Sequence, residues 1–128
     1  MKLLLDTHTV LWMVNGYERL SSSVKELLLN DEHELFISVV SLWEMAIKVS
    51  LGKLSELKGG VGVVISKLES MPIEVLPITT GCIKTIESLP FIHRDPFDRM
   101  LVATAVSSDL TILTADSNIP KYSAPCVW

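Results

Sequence analysis

Cysteine is nearly absent. Cys82 and Cys126 are the only two in 128 residues, and they stand far apart. That excludes a disulfide framework or a thiolate metal cluster as the organising device, and reduced thiols are expected. Long apolar runs are missing too. The run Leu3-Leu4-Leu5 is interrupted by Asp6 and His8, too early for a secretory signal, and nothing approaches the roughly 20 residues of a membrane-spanning helix. A basic surplus is lacking: 11 Lys and Arg stand against 15 Asp and Glu, a formal charge of −4 with a pI near 5.3. This argues against a protein that coats nucleic acid by charge alone. Repeats, low-complexity tracts and charge blocks are also absent. A cytoplasmic protein without membrane association is expected.

What is present is apolar side chain. Hydrophobic residues make up 48% and charged residues 20%, and the mean hydropathy is +0.41. Intrinsic disorder is excluded, since it needs low hydrophobicity and high charge. The length fits one domain, which buries about two-thirds of the surface exposed by its unfolded chain. The apolar excess points to a partner surface.

Along the chain, short apolar runs alternate with helical patterns. Strands are predicted at Leu3–Leu5, Glu34–Val39, Ile73–Ile78 and Thr111–Thr114, with an edge strand in the tail Ala124–Trp128. Helices are predicted over Thr7–Asn15, from Ser21–Ser23 through Leu29, and over Ser41–Leu51 closed by Gly52. Others run over Val63–Met71 before Pro72, from Thr79 or Thr80 to Leu89, and from Asp95-Pro96 to Ser107 or Ser108. Gly59, Gly60 and Gly62 read as a linker, because they lack the Lys-Ser/Thr ending of a phosphate loop. The alternation predicts an α/β fold, a small parallel sheet flanked by helices on both faces.

Four acids are placed for chemistry. Asp6 ends the first strand and Asp116 the last, and ligands of open parallel sheets sit beyond the carboxyl ends of strands. As purely structural residues, Asp6 is an N-cap and Asp116 a turn former. Glu44 lies with Ser41 and Lys48 on one narrow polar stripe of an otherwise apolar helix. That stripe faces either solvent, with a Glu44–Lys48 pair, or a polar cleft. In His93-Arg94-Asp95-Pro96-Phe97-Asp98-Arg99, Pro96 at the first helical position makes Asp95 the N-cap and puts Asp98 at the third position. Gathering Asp6, Glu44, Asp98 and Asp116 without a cation is costly by like-charge repulsion. Converging hard oxygen ligands suit Mg²⁺ or Mn²⁺, ions that activate water and neutralise a phosphate undergoing displacement.

The order strand-Asp, helix-Glu, helix-Asp, strand-Asp resembles the PIN-domain ribonucleases. More narrowly, the chain is similar to VapC-type toxins of bacterial type II toxin–antitoxin pairs. The pieces are Leu3-Leu4-Leu5-Asp6-Thr7-His8, Ser41-Leu42-Trp43-Glu44-Met45-Ala46-Ile47-Lys48, Leu89-Pro90, His93-Arg94-Asp95-Pro96-Phe97-Asp98-Arg99-Met100-Leu101, Leu113-Thr114-Ala115-Asp116 and Trp128. The resemblance covers the whole chain, so residues 1–128 are expected to form a single PIN domain. It implies a metal-dependent endoribonuclease. Asp6, Glu44, Asp98 and Asp116 would be the acid quartet around one or two Mg²⁺ or Mn²⁺ ions, leaving 5′-phosphate and 3′-hydroxyl ends. It also implies an RNA substrate, a cognate antitoxin and a homodimer. Thr7, His8, Lys48, Arg94, Asp95, Arg99 and Thr114 are then the surrounding residues, to contact RNA or brace the acids. His8 is otherwise a polar rim residue, and Arg94 and Arg99 otherwise pair with nearby acids. Trp12, Trp43 and the methionines read as core or dimer packing.

Four rival readings exist. A phosphatase of the haloacid dehalogenase type wants an Asp two residues after Asp6, where His8 stands. A receiver domain wants an acid pair and a later Lys that the sequence lacks. A non-catalytic interaction module would use the acids only as caps and bind divalent metal weakly or not at all. A PIN nuclease that processes RNA without an antitoxin keeps the fold but not the role.

Overall fold

The computed structural model describes residues 1–128. Its spine is a five-stranded, all-parallel sheet of β1 (Lys2–Leu5), β2 (Glu34–Ser38), β3 (Ile73–Leu76), β4 (Thr111–Leu113) and β5 (Cys126–Val127), in the order β3-β2-β1-β4-β5. Six α-helices connect the strands: α1 (Thr7–Val14), α2 (Ser22–Leu29), α3 (Val39–Ser50), α4 (Val61–Glu69), α5 (Thr80–Ser88) and α6 (Pro96–Ser108).

The period-two alternation of β1 sorts the core into two layers. Leu3 and Leu5 face a cluster built with Ile37, Leu113, Val10, Val24, Met45 and Val64, from strands and α1–α4. Leu4, from the opposite face, joins Phe36 and Ile112 in packing on Leu101, Val102 and Ala105 of α6. Leu3, Leu4 and Leu5 are all fully buried, as a central strand covered on both faces must be. No helix is long and apolar enough to cross a membrane.

The strands expected to reach Ile78 and Thr114 end at Leu76 and Leu113, and three other places differ from the sequence reading. Helix α3 begins at Val39 because the Ser38 hydroxyl accepts from Val40 N at 3.1 Å; the β-branched Val39 reads as the end of the strand from sequence. Helix α4 begins at Val61, so Gly62 lies inside its first turn. The turn before it needs glycine: Gly59 and Gly60 have φ of 86° and 75°, and a Cβ on Gly59 would meet Val63 Cγ2 at 2.5 Å. A short 3₁₀ turn, Ile119–Lys121, follows β4 and had no legible signal in so few residues.

The strand order reverses direction at β1. From β1 the chain winds outward through β2 and β3, then returns to place β4 on the other side of β1. The crevice between the carboxyl ends of β1 and β4 is the topological switch point, where open parallel sheets bind ligands. Asp6 and Asp116 leave the sheet there.

Candidate functional site

Asp6 performs its capping role and more. Its Oδ1 accepts from Thr9 N at 2.7 Å and from the Thr9 hydroxyl at 2.6 Å, the N-cap of α1. Its Oδ2 accepts from the Thr114 hydroxyl at 2.5 Å. Asp6 is 5% exposed yet lines an open cavity of about 280 Å³ together with His8, Trp12, Ala115 and Asp116. Asp116 also has a turn role, accepting from Asn118 N through Oδ1 at 2.8 Å, while its own N–H donates to Thr114 Oγ1 at 3.0 Å. Thr114 therefore links both acids.

Asp98 has no such structural duty. Asp95 is the cap of α6, its Oδ1 accepting from Phe97 N at 2.9 Å and Asp98 N at 3.4 Å. Asp98 instead stands within reach of Asp116 and His93: one ligand atom from each of these three residues lies within 4.8 Å of the others. Burial, foremost, pushes the Asp98 carboxyl up from 3.8 to about 6. The charges of Asp95, Asp116 and Glu44 push the same way, and a hydrogen bond from His93 opposes them. His93 Nε2 is 3.2 Å from Asp98 Oδ2, and its Nδ1 is 2.9 Å from the Tyr122 hydroxyl. One tautomer satisfies both contacts: Nε2–H donates to Asp98 and the Tyr122 hydroxyl donates to Nδ1.

The polar stripe of α3 faces inward. Ser41 and Glu44 are buried, at 3% and 4% exposure. Glu44 Oε1 accepts from the Thr7 hydroxyl at 2.7 Å, which also lies 3.0 Å from Ser41 Oγ. Glu44 Oε2 accepts from Lys48 Nζ at 2.7 Å. That hydrogen bond, first among the causes, raises the Lys48 pKa against the opposing effect of burial; the charges of Glu44, Asp95 and Asp98 add to it. Lys48 is thus the resident cation on the Glu44 side of the acids. Glu44 has both oxygens committed, whereas Asp98 Oδ1 and Asp116 Oδ2 have no protein partner.

The family model of the PIN domain matches residues 3–125. The chain belongs to the PIN domain family. Solved structures similar to this PIN domain include VapBC2 from Rickettsia felis bound to a DNA fragment from its promoter, at 18% identity over 99% of this chain and 98% of that one, with a TM-score of 0.73. DNA-bound VapBC from Salmonella typhimurium matches at 18% identity over 99% and 97%, with a TM-score of 0.70. FitAcB from Neisseria gonorrhoeae matches at 19% identity over 98% and 96%, with a TM-score of 0.62. At these identities the likeness is one of fold. No curated protein matches by sequence.

Within this PIN domain, the basic residues of the Arg94–Arg99 stretch separate. Arg94 is exposed, with no ion-pair partner. Arg99 is buried and turned away from the acids. Its guanidinium donates to the carbonyls of Pro90 at 2.8 Å, Ile86 at 3.2 Å and Leu89 at 3.5 Å, and lies 4.2 Å from the centre of the Phe91 ring. The expectation that Arg99 contacts RNA or pairs with an acid is corrected: it closes the end of α5. His93, given no role from sequence, is the residue that reasoning missed. Its signal was present, a ring five residues before Asp98 and just ahead of the helix, but only the fold shows which way it points.

The donor set fits a hard divalent cation. Asp98 and Asp116 offer uncommitted carboxylate oxygens next to one another, Asp6 adds a third carboxylate on the shared cavity, and like charges at this spacing lack a compensating cation on that side.

Proposed function

We propose that this PIN domain is a Mg²⁺- or Mn²⁺-dependent endoribonuclease and the toxin of a type II toxin–antitoxin pair. The observation that carries the reading is Asp98. Asp6, Asp95 and Asp116 each have a backbone N–H to cap, so an interaction module could keep them. Asp98 caps nothing, is substantially buried, and holds a raised pKa beside Asp116, which is costly unless a cation is drawn there. A divalent ion at the acids supplies an activated water and neutralises charge on the phosphodiester under attack.

The residues of this chain would divide the remaining work. Asp98, Asp116 and Asp6 would be the direct ligands. Thr9 and Thr114 fix the Asp6 carboxylate, and His93 fixes Asp98. Glu44 would complete the quartet once Lys48 swings toward a scissile phosphate. Arg94 is free to meet the RNA backbone, and Thr7 braces Glu44.

The toxin role and the antitoxin partner rest on the VapC-like motifs and on the VapBC complexes that share this fold. The apolar side chains left exposed, Trp43, Ile65 and Val75 among them, offer surface for an antitoxin and for a second copy of the chain. Both, and action in the cytoplasm, are part of the proposal.

Purified protein should cut single-stranded RNA in Mg²⁺ or Mn²⁺ and stop in EDTA, with Asp98→Asn inactive in both. Cleavage that persists undiminished in chelator defeats the mechanism. Growth arrest on expression, relieved by Asp98→Asn and by the product of an adjacent gene, tests the toxin role separately.

A further inference from the structure

The cavity that holds Asp6 and Asp116 has an aromatic side as well as an acidic one. His8 and Trp12 line it, with ring centroids 5.9 Å apart. Trp128, just after β5, meets Trp12 edge-on at 5.6 Å, and the Arg19 guanidinium lies 5.3 Å from the Trp12 ring centre. Trp12 is anchored, since it packs partly against the core. His8 and Trp128 are exposed, the latter by 39%. The result is a braced aromatic row that begins at the acids and runs outward along the surface.

Core packing accounts for Trp12 only in part, and the acid chemistry does not call for the row. Core burial is satisfied by Val10, Leu11, Met13 and Val14 of the same helix. Acid ligands need no rings. The row does answer a difficulty of a nuclease with a net charge of −4, which draws little affinity from phosphate contacts. Stacking of bases on aromatic rings grips a strand without regard to its charge, because every base presents a π-face. Exposed rings next to the acids would hold a strand where its phosphodiester meets them. We propose that His8, Trp12 and Trp128 form a stacking platform for unpaired bases of a single-stranded nucleic acid, adjoining the Asp6–Asp116 cavity. Its ligand class rests on the nuclease reading above.

Binding is measured without turnover, in EDTA and in a Trp43→Phe/Asp98→Asn background, which leaves Trp12 and Trp128 as the only tryptophans. A short single-stranded oligoribonucleotide should quench their fluorescence saturably, and the same backbone with abasic riboses should not. His8→Ala and Trp128→Ala, both at exposed positions, should each weaken binding roughly tenfold with an unchanged circular dichroism spectrum. Equal quenching by the abasic strand, or wild-type affinity in both variants, overturns the platform. So does quenching by an antitoxin peptide with none by the oligoribonucleotide, which would give this face to a protein.

The two readings fail separately. Base-dependent quenching in a protein that cuts no RNA with any divalent ion sinks the nuclease and keeps the platform. Metal-dependent cleavage with KM unchanged in His8→Ala and Trp128→Ala sinks the platform and keeps the nuclease.

Discussion

The Thr114 hydroxyl donates to Asp6 Oδ2 at 2.5 Å, across the junction of β4 and β1 and between residues 108 positions apart. Its oxygen also receives the Asp116 N–H. One side chain thus sets the orientation of the first acid and the exit path of the last. The switch point of the sheet is the reason they meet: β1 and β4 are neighbours only because the chain winds out to β3 and returns.

Thr114→Val keeps the shape of the side chain and deletes the hydroxyl. Asp6, nearly buried, loses a donor, and Asp116 N loses its acceptor. An unsatisfied buried partner costs about 1–3 kcal/mol. The variant should lower the urea unfolding free energy by that amount and reduce RNA cleavage further than stability explains, while Thr114→Ser should recover most of both. Equal activity for Val and Ser would mean that Asp6 is held without Thr114.

The position of Asp98 makes the metal-free protein sensitive to pH. Its carboxyl titrates near 6, raised first by burial and then by Asp95, Asp116 and Glu44, above the value it has unfolded. Such a group contributes stability that is fully present below the unfolded pKa and lost as pH rises through about 6. Metal-free protein should therefore lose stability between roughly pH 4 and 6, by on the order of 1–2 kcal/mol once partial exposure is discounted. Asp98→Asn should be the more stable protein at pH 7 in EDTA. Mn²⁺, which competes with the proton, should bind the wild type more tightly as pH rises through 6, as titration calorimetry would register. A flat affinity across that range would place the ion elsewhere.

Much of this was legible in the sequence because the signals were local. Leu3-Leu4-Leu5 ending on Asp6 reads as a buried strand delivering an acid, and Asp95-Pro96 reads as a cap, which is what the Asp95 hydrogen bonds are. The stripe of Ser41, Glu44 and Lys48 could be drawn, but whether it faced solvent or cleft depended on α3 packing against α1 and α6, a matter of tertiary contact. Arg99 and His93 were misjudged and missed for the same reason. Two side chains in one short stretch point to opposite sides of it, and only the return of α6 onto the sheet decides which meets the acids.

Asp95 and Asp98 are three residues apart and should behave oppositely. Asn retains the side-chain oxygen that receives Phe97 N and Asp98 N, and Asn caps about as well as Asp. Asp95→Asn should keep the fold and cleavage. It also removes the charge that raises the Asp98 pKa most, so the pH at which Mn²⁺ binding reaches half its plateau should move down. Asp95→Ala, without the oxygen, should lose about 1 kcal/mol of stability. If Asp95→Asn is as inactive as Asp98→Asn, Asp95 is itself a ligand.

Arg99 offers the sharpest separation of structure from chemistry. Its fork of donors serves the Pro90, Ile86 and Leu89 carbonyls at the end of α5, and its plane lies against the Phe91 ring. Lysine has one ammonium on a flexible stem and cannot reproduce that planar fork. Arg99→Lys should leave one or two of those carbonyls unpaired and destabilise the protein by about 1–3 kcal/mol, measured by urea unfolding. Yet the guanidinium touches neither acid nor open cavity, so below the melting transition Arg99→Lys should bind and cut RNA as the wild type does. Arg94→Ala, at an exposed position, should show the converse: stability unchanged within about 0.5 kcal/mol, and RNA affinity lowered with a shallower salt dependence, whereas Arg94→Lys, which keeps the charge, should retain the salt dependence of the wild type. Weakened RNA binding in folded Arg99→Lys would show that the α5 end is coupled to the acid site.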